Sequence, residues 1–328
     1  MIRRQPHSDR AAARLDTLDR VPRPLVTVVL AALVAGACAA APAAPSAAPA
    51  TPRNVLGERD TRYTIRHDTV DRTYVLHAPP GAEARTDLPV VVMLHAEGST
   101  SEGAIALTGW SAKADREGFI VAYPQADRGV WNDGTSRGLA GRVPNGDVGF
   151  IGAVLTDVDR HFKTDSTRLY VTGFSTGASL AWLAGAELGH RLAAVAPLGG
   201  QLWPEKLNVS RGVSLLQIAP GADPQYPLAG GRVTDAAGLA ADLPPVARSR
   251  DRWVNAERCQ PGTPLPGPDG VKVRAYRGCR DGTEAVFYDV EGLGHVWPGG
   301  PSAAGLASAE KVDANALIWE FFRTHPRS

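Results

Sequence analysis

A serine, a carboxylate and a histidine, in that order along the chain, are the residues best placed to do chemistry. Ser175 lies in Gly173-Phe174-Ser175-Thr176-Gly177, between an apolar run ending at Thr172 and a helical pattern starting near Ala178. In a sharp strand-to-helix turn the backbone closely approaches neighbouring chain segments, which favours glycine at both ends of the pentapeptide. The turn also places the hydroxyl at a helix N-terminus, where negative charge is stabilised. We therefore predict that Ser175 is a nucleophile.

A serine hydroxyl needs a base that removes its proton and a carboxylate that orients the base. Asp223 follows the apolar run Ser214 to Ile218, and His295 lies in a glycine-rich segment after the run Ala285 to Val290. We predict His295 as general base and Asp223 as the orienting acid. Two other carboxylates are alternatives for the acid: Asp235 and Asp242.

The tetrahedral intermediate of acyl transfer needs two backbone N–H donors. We expect one from Thr176 and the other from the loop after Leu94, where the amide of Glu97 is favoured. His95 opens this loop and is predicted to be a hydrogen-bonded scaffold, not a second base. The eight histidines are scattered along the chain. Their spacing predicts no metal site.

Short apolar, β-branched runs alternate with helical patterns, which predicts an α/β fold with a mostly parallel central sheet and helices on both faces. The predicted strands are Arg72 to Leu76, Pro89 to Leu94, Phe119 to Tyr123, Arg168 to Thr172, Ala193 to Leu198, Ser214 to Ile218 and Ala285 to Val290. The predicted helices are Gly149 to Phe162, Ala178 to Leu188 and Ala309 to Thr324, and the predicted loops are Gly200 to Pro204 and Asp235 to Pro245.

The first 38 residues have the features of a signal peptide. An apolar run, Leu25 to Gly36, follows arginines at 20 and 23 and ends in small residues before Cys38. The run is shorter than the roughly 20 residues of a membrane-spanning helix, so a retained anchor is the weaker alternative. Small residues before Cys38 resemble a lipoprotein signal, so lipidation at Cys38 competes with plain secretion. We expect a secreted or cell-surface protein.

Residues 39–60 are rich in alanine and proline and are predicted to be a linker, with the catalytic domain at 61–328. Besides Cys38 the chain has Cys259 and Cys279, which an exported protein would normally pair. Closing such a loop would stabilise the fold by about 3 kcal/mol. With 35 basic and 34 acidic residues, the charge of +1 does not favour nucleic acid or an anionic membrane as a partner.

These residues and others resemble the polyhydroxybutyrate-depolymerase-like esterases, a family that includes feruloyl and acetyl xylan esterases. The matching pieces are Met93-Leu94-His95, Gly109-Trp110-Ser111, Ala114 to Phe119, Val121 to Pro124, Trp131-Asn132, Asp147 to Phe150, the serine pentapeptide, Trp253 before Cys259, Cys279, and Gly294 to Gly300. The resemblance implies an α/β-hydrolase fold, ester hydrolysis without metal or cofactor, a Cys259–Cys279 disulfide and the Ser175, Asp223 and His295 triad.

The expected activity is serine carboxylic-ester hydrolysis through an acyl-enzyme, on short-chain, hydroxyalkanoate or feruloyl and acetyl esters. Trp131 and Trp297 are predicted to line the substrate pocket, with packing beneath the loops as the alternative for both. The substrate is expected to be a small or oligomeric ester and the protein a monomer. An acyltransferase or peptidase on the same fold is an alternative. So is a non-catalytic surface binding protein, since Ala96 occupies a position where the family has glycine.

Overall fold

Runs of apolar residues form the centre of the sheet, because a strand covered on both faces has no position that meets water. Every residue from Leu88 to Leu94 is buried, and so is every residue from Ala194 to Leu198. The computed structural model describes residues 56–135, 146–234, 238 and 240–328. The predicted signal peptide, the lipidation candidate Cys38 and nearly all of the linker lie outside these residues.

The described residues contain strands and helices in the following order. The strands are β1 (Asp60–His67), β2 (Val70–His77), β3 (Leu88–Leu94), β4 (Ile120–Pro124), β5 (Thr164–Phe174), β6 (Ala194–Leu198), β7 (Ser214–Pro220), β8 (Gly231–Thr234), β9 (Ala240–Leu243), β10 (Thr263–Leu265), β11 (Val271–Tyr276) and β12 (Ala285–Val290). The α-helices are α1 (Ser101–Thr108), α2 (Trp110–Glu117), α3 (Asp147–His161), α4 (Thr176–Glu187), α5 (Val246–Ala256) and α6 (Ala314–Thr324).

A ten-stranded sheet has the order β1-β2-β4-β3-β5-β6-β7-β12-β11-β10. Its central strands, from β4 through β3, β5, β6 and β7 to β12, pair in parallel, while antiparallel strands flank them on each side. The predicted α/β-hydrolase fold is confirmed by this mostly parallel sheet. The chain adds strands in one direction from β3 to β4 and in the other from β5 onward. Ligands of open α/β sheets bind at the carboxyl ends of strands beside such a reversal.

Two hydrophobic clusters cover the two faces of the sheet, because successive side chains of a strand point to opposite sides. Val90 and Val92 belong to one cluster, and Val91 and Met93 belong to the other. Helices α3, α4 and α5 contribute to the first cluster, and α1, α2 and α6 to the second. The sheet is therefore a rigid layer whose strand ends can hold side chains in fixed positions.

Each of the seven predicted strands and three predicted helices lies at a strand or helix of the structure. The last helix begins at Ala314, five residues after the predicted start, because Asp313 caps it by accepting a hydrogen bond from the Ala316 amide at 3.0 Å. The prediction of a loop over Asp235 to Pro245 was wrong in part, since β9 occupies Ala240–Leu243 and pairs with β8. Residues 235–237 and 239 are outside the described part.

Strand β1 and the antiparallel strands β10 and β11 were not predicted. In β1 half-buried positions largely alternate with exposed ones, and its exposed positions carry charged and polar side chains. The expected pairing of Cys259 with Cys279 is confirmed, with an S–S distance of 1.99 Å. The disulfide joins the end of the α5 region to the segment between β11 and β12, on the antiparallel side of the sheet.

Candidate active site

Ser175 lies in the turn that joins β5 to α4, at the carboxyl edge of the central sheet. Strand β5 ends at Phe174 and α4 begins at Thr176, so one residue makes the whole connection. Ser175 has φ 59° and ψ −123°, a conformation that a residue with a side chain rarely adopts. Such backbone strain costs about 1–3 kcal/mol and persists only where the surroundings enforce it. The side chain is 4% exposed, which puts the hydroxyl at a protected position.

The glycines on either side of this turn are required by close contacts. A Cβ at Gly173 would lie 2.4 Å from the carbonyl oxygen of Gly177. A Cβ at Gly177 would lie 2.4 Å from the carbonyl oxygen of Leu94 and 2.5 Å from that of His95. The start of α4 therefore packs directly on the end of β3, and the close approach predicted for this turn is made to that strand.

The structure brings Asp223 and His295 together. Asp223 follows β7 and His295 follows β12, and these strands are parallel neighbours, so both residues emerge at the same edge of the sheet. The Nδ1 atom of His295 lies 2.7 Å from Oδ2 of Asp223. The other carboxylate oxygen of Asp223 accepts hydrogen bonds from the amides of Gln225 at 2.8 Å and Tyr226 at 3.0 Å. These bonds fix the carboxylate so that Oδ2 faces the imidazole.

His295 lies beside the serine turn. Its ring stacks on Phe174, the residue before Ser175, with ring centroids 4.5 Å apart. A Cβ at Gly199, in the segment after β6, would be 3.5 Å from atoms of both His295 and Asp223. Of the carboxylates considered from the sequence, Asp223 is the one at the imidazole; Asp242 lies in β9 and Asp235 is outside the described residues.

The loop after β3 is held by His95 in the way the sequence analysis predicted. His95 is 1% exposed, and its Nε2 accepts a hydrogen bond from the Ala126 amide at 3.1 Å. Its Nδ1 can then carry the proton and donate to the carbonyl of Ala96, 2.7 Å away. Burial lowers the pKa of His95 to about 4, against the raising effect of the Ala96 hydrogen bond. A neutral imidazole with both nitrogens occupied positions the loop and does not act as a base.

The two predicted oxyanion donors are the amides of Thr176, which directly follows Ser175, and of Glu97, in the loop after β3. Thr176 is the first residue of α4, and a first-turn amide has no partner within its own helix. Glu97 follows the His95 scaffold, in the loop whose carbonyls at Leu94 and His95 contact the start of α4, and its side chain is exposed. The assignment of the Glu97 and Thr176 amides as oxyanion donors stays a prediction.

Trp131 and Trp297 do not line an open pocket, because both side chains are fully buried. The indole nitrogen of Trp131 donates to the carbonyl of His95 at 2.7 Å, and that of Trp297 donates to the Asn315 side chain at 3.0 Å. The structure favours the alternative, in which both rings support loops from beneath. Trp131 holds the loop after β3 through this bond to His95, and Trp297 meets Phe174 edge-on with ring centroids 6.2 Å apart.

Three side chains near the site were not singled out from the sequence: Tyr226, Trp203 and Asp133. Tyr226 stacks on His295 with centroids 5.8 Å apart, and Trp203 lies 6.4 Å from Tyr226. The Trp203 indole donates to the buried carboxylate of Asp133 at 2.9 Å. Burial raises the pKa of Asp133 to about 6, although hydrogen bonds from Thr135 and Trp203 oppose the shift. The position of Tyr226, three residues after Asp223, was the available signal, since it shares the turn of the acid.

In the described part of the chain, no group of three histidine, cysteine or acidic side chains is arranged to hold a metal ion. Among the same residues no helix is both long enough and apolar enough to cross a membrane.

Comparison with known proteins finds relatives whose names describe esterases. Residues 72–228 match the family model described as esterase PHB depolymerase. The putative esterase NocK of Nocardia uniformis subsp. tsuyamanensis is 29% identical over 269 residues, covering 75% of this chain and 78% of NocK. The probable feruloyl esterase C of Aspergillus niger is 23% identical over 275 residues, covering 81% of this chain and 89% of that protein. The crystal structure of an acetyl xylan esterase from Aspergillus awamori superposes with a TM-score of 0.51 at 14% identity, covering 80% of this chain and 99% of that one, and supports the fold.

Proposed function

We propose that this carboxylic-ester hydrolase, whose sequence matches the esterase PHB depolymerase family over residues 72–228, works through an acyl-enzyme formed on Ser175. The observation that carries the proposal is the hydrogen bond of 2.7 Å between Asp223 and His295, at the edge of the sheet where the strained Ser175 also lies. A carboxylate on Nδ1 fixes the tautomer in which Nε2 is the basic nitrogen.

In the first half-reaction, the Ser175 oxygen attacks the ester carbonyl while Nε2 of His295 takes the hydroxyl proton. Asp223 stabilises the imidazolium that forms, and the amides of Thr176 and Glu97 donate to the carbonyl oxygen as it becomes negative. The carbon–oxygen bond of the ester then breaks, and the imidazolium returns its proton to the departing alcohol. Ser175 is left esterified by the acyl group.

In the second half-reaction, water attacks the acyl carbon and gives a proton to His295. The bond between the acyl carbon and the Ser175 oxygen breaks, the proton passes from the imidazolium to that oxygen, and a carboxylic acid is released. The cycle needs only the triad, the two amides and water.

We assign the substrate to soluble or oligomeric esters with acetyl, short hydroxyacyl or feruloyl groups. The family description supports hydroxyacyl esters, the name of the Aspergillus niger relative supports feruloyl esters, and the name of a bifunctional acetylxylan esterase/xylanase relative supports acetyl esters. We further propose that the protein is exported, with residues 1–38 as a signal peptide and Cys38 as a candidate for lipidation. The Cys259–Cys279 disulfide supports an oxidising location.

The proposal is tested by labelling the purified protein with a fluorophosphonate probe and measuring p-nitrophenyl acetate hydrolysis. We expect labelling and turnover by the unmodified protein and by Ser111→Ala, since Ser111 contacts Tyr123 and does not lie in the serine turn. Ser175→Ala should lose both. Equal labelling of Ser175→Ala would contradict the assignment of the nucleophile, and no labelling of the folded unmodified protein would favour the non-catalytic alternative.

A second experiment narrows the substrate. Hydrolysis rates are measured for p-nitrophenyl esters of increasing acyl length, for methyl ferulate and for soluble 3-hydroxybutyrate oligomers. We expect turnover of the shortest acyl esters together with at least one of the other two. Activity confined to an insoluble polyester film would contradict the assignment to soluble esters.

A further inference from the structure

The loop after β3 is held at two points by one other segment of the chain, residues 125–132. His95 accepts two hydrogen bonds from this segment, one at Nε2 and one at its carbonyl oxygen. The amide of Gly98 donates to the carbonyl of Gly129 at 2.8 Å. Glu97, whose amide is a predicted oxyanion donor, lies between these two points of attachment. Segment 125–132 therefore sets the position of that amide.

A buried ion pair holds segment 125–132 at both of its ends. Arg72 donates to the carbonyl of Gln125 at 3.2 Å and, from the same nitrogen, to Oδ1 of Asp147 at 2.7 Å. The other carboxylate oxygen of Asp147 accepts a hydrogen bond from the amide of Asn132 at 2.6 Å. One ion pair thus fixes the first and the last residue of the segment that carries the loop after β3.

The ion pair itself is anchored in regular structure. Arg72 belongs to β2 and is 4% exposed, and Asp147 is the first residue of α3 and is 1% exposed. The Arg72 guanidinium lies 4.0 Å from the centre of the Phe150 ring. A buried ion pair is often no more stabilising than apolar side chains of similar volume, so stability alone does not account for this one. Its bonds to both ends of segment 125–132 indicate a role in placing that segment.

The placement of an oxyanion donor matters because its hydrogen bond must meet the carbonyl oxygen as negative charge develops there. A displacement of about 1 Å, caused by a change far from the reacting atoms, can slow a reaction by about a hundredfold. The Glu97 amide is connected to β2 and α3 through segment 125–132 and the ion pair. Loosening the pair would allow the amide to drift while the triad stays in place.

We propose that Arg72 and Asp147 are positioning residues, whose ion pair aligns the oxyanion donor of the loop after β3 by fixing segment 125–132. This inference rests on the proposed acyl-enzyme mechanism and on the part that this loop has in it. Neither residue touches the substrate, and no proton passes through the pair. Its effect is confined to the stabilisation of negative charge on the carbonyl oxygen of the substrate.

The test compares an oxygen ester with its sulfur analogue. In p-nitrophenyl thionoacetate a sulfur replaces the carbonyl oxygen, and sulfur accepts hydrogen bonds only weakly. A well-aligned oxyanion donor therefore favours the oxygen ester, and the ratio of kcat/KM for p-nitrophenyl acetate to that for the thiono ester measures this stabilisation. A general loosening of the fold or a displaced triad slows both reactions and leaves the ratio unchanged.

The main variant is Asp147→Asn, because an amide has the shape of the carboxylate but only one oxygen that accepts. It can accept from Arg72 or from the Asn132 amide, but the two bonds no longer form on separate oxygens. We expect kcat/KM for p-nitrophenyl acetate to fall about 30-fold and that for the thiono ester to stay within about threefold. The ratio should therefore fall about tenfold or more.

Asp157→Asn is the matched control, because Asp157 is another buried carboxylate of α3. It accepts a hydrogen bond from the Tyr74 hydroxyl at 2.8 Å, so it also joins α3 to β2, but no bond links it to segment 125–132 among the described residues. We expect its two kcat/KM values and their ratio to lie within about twofold of those of the unmodified protein.

Arg72→Lys is the second variant. It keeps a positive charge beside Asp147, so no unpaired carboxylate is left in the interior. An ammonium does not reproduce the planar geometry of the guanidinium, so we expect the ratio to fall here as well, by about threefold. Urea unfolding of each variant shows whether it is folded under the conditions of the assay.

An unchanged ratio in folded Asp147→Asn would overturn the proposal, and so would an equal fall of the ratio in Asp157→Asn. Loss of folding in both Asp147→Asn and Arg72→Lys would overturn it too, since the pair would then be required for the fold and not for the placement of one loop. Failure of the proposed function itself has a different signature: the unmodified protein would hydrolyse neither ester, or would hydrolyse both at similar rates.

Discussion

Two histidines of this protein each lie 2.7 Å from a carboxylate oxygen, and their surroundings give them different roles. His295 contacts Asp223 at the edge of the sheet, and His77 contacts Asp60 within the strand pair β1 and β2. The second nitrogen of His77 lies 3.0 Å from Asp115 in α2. For His295 only the Nδ1 bond occurs among the described residues, so Nε2 is available to exchange a proton.

The comparison shows that a histidine–carboxylate pair is not a catalytic signature by itself. The pair at His295 has a ring nitrogen to spare and a nucleophile in a strained turn beside it. The pair at His77 has both nitrogens occupied and links β1, β2 and α2. We propose that the first arrangement transfers protons, and we expect the second to be an ionic cross-link in the fold.

The largest expected effect is the difference in activity between alanine variants of the two histidines. His295→Ala should lower kcat/KM for p-nitrophenyl acetate by about 10⁴-fold or more, because the base is lost. His77→Ala should leave kcat/KM within about threefold, since no reacting atom is near. Steady-state kinetics on both purified variants, with circular dichroism to check folding, decides the matter. If folded His77→Ala lost as much activity as His295→Ala, the two histidines would not differ in the role that we assign to them.

The next largest effect is the difference in kcat between asparagine variants of Asp223 and Asp115. Asp223→Asn should reduce kcat by about 10³- to 10⁴-fold, because an amide that donates to Nδ1 imposes the wrong tautomer on His295. Asp115→Asn changes the carboxylate at His77 in the same way and should leave kcat unchanged. Comparable kcat values for Asp223→Asn and the unmodified protein would argue against Asp223 as the orienting acid.

A third test concerns the packing that forces the strained turn. Gly177→Ala would put a methyl group 2.4 Å from the carbonyl of Leu94, and we expect it to cost about 3 kcal/mol and most of the activity. Gly146→Ala is the matched change, because a Cβ at Gly146 meets nothing within 4 Å. Denaturant unfolding measures both. If Gly177→Ala were as stable and active as Gly146→Ala, the close approach of α4 to β3 would not be what holds Ser175.

The smallest effect is the pH dependence of the His77 cross-link. Burial lowers the pKa of His77, but hydrogen bonds and charges from Asp60 and Asp115 outweigh it and raise the pKa above the usual value. A raised folded-state pKa means that this stabilisation is complete below about pH 6.5 and is lost as the pH rises through the folded-state value.

Replacing His77 with Asn should therefore cost about 2 kcal/mol at pH 6, and less at pH 9. The measurement is the free energy of unfolding in urea at several pH values. A cost that grows with pH would mean that His77 is neutral in the folded protein and that the cross-link is not ionic.

The placement of Ser175, Asp223 and His295 at one edge of the sheet could be predicted from the sequence more fully than the rest of the molecule. The sharp turn at Ser175 could be predicted because close backbone contacts require glycine on both sides of it, and these glycines are visible in the local sequence. Asp223 and His295 could be placed at the same edge because each lies in the segment after an apolar run that was predicted to be a strand. Features that depend on the backbone of one segment can be predicted from the sequence of that segment alone.

Features that arise from contacts between loops distant in the chain could not be predicted from the sequence. Tyr226 acquires its neighbours from segments around residues 133, 175, 203 and 295, and nothing in its own segment specifies them. For Trp131 and Trp297 the sequence indicated a large aromatic side chain near the site. It did not show whether the ring lines a pocket or is buried in the core, and both rings are buried. Strand β1 was missed because its exposed positions carry polar residues.

The most direct test of the central claim is a crystal structure of the protein inactivated by a p-nitrophenyl phosphonate, whose tetrahedral phosphorus imitates the intermediate. The account predicts phosphorus bonded to the Ser175 oxygen, a phosphonyl oxygen within hydrogen-bonding distance of the Thr176 and Glu97 amides, and Nε2 of His295 about 3 Å from an oxygen on phosphorus. Phosphorus on another residue, or a His295 imidazole turned away from Ser175, would contradict it.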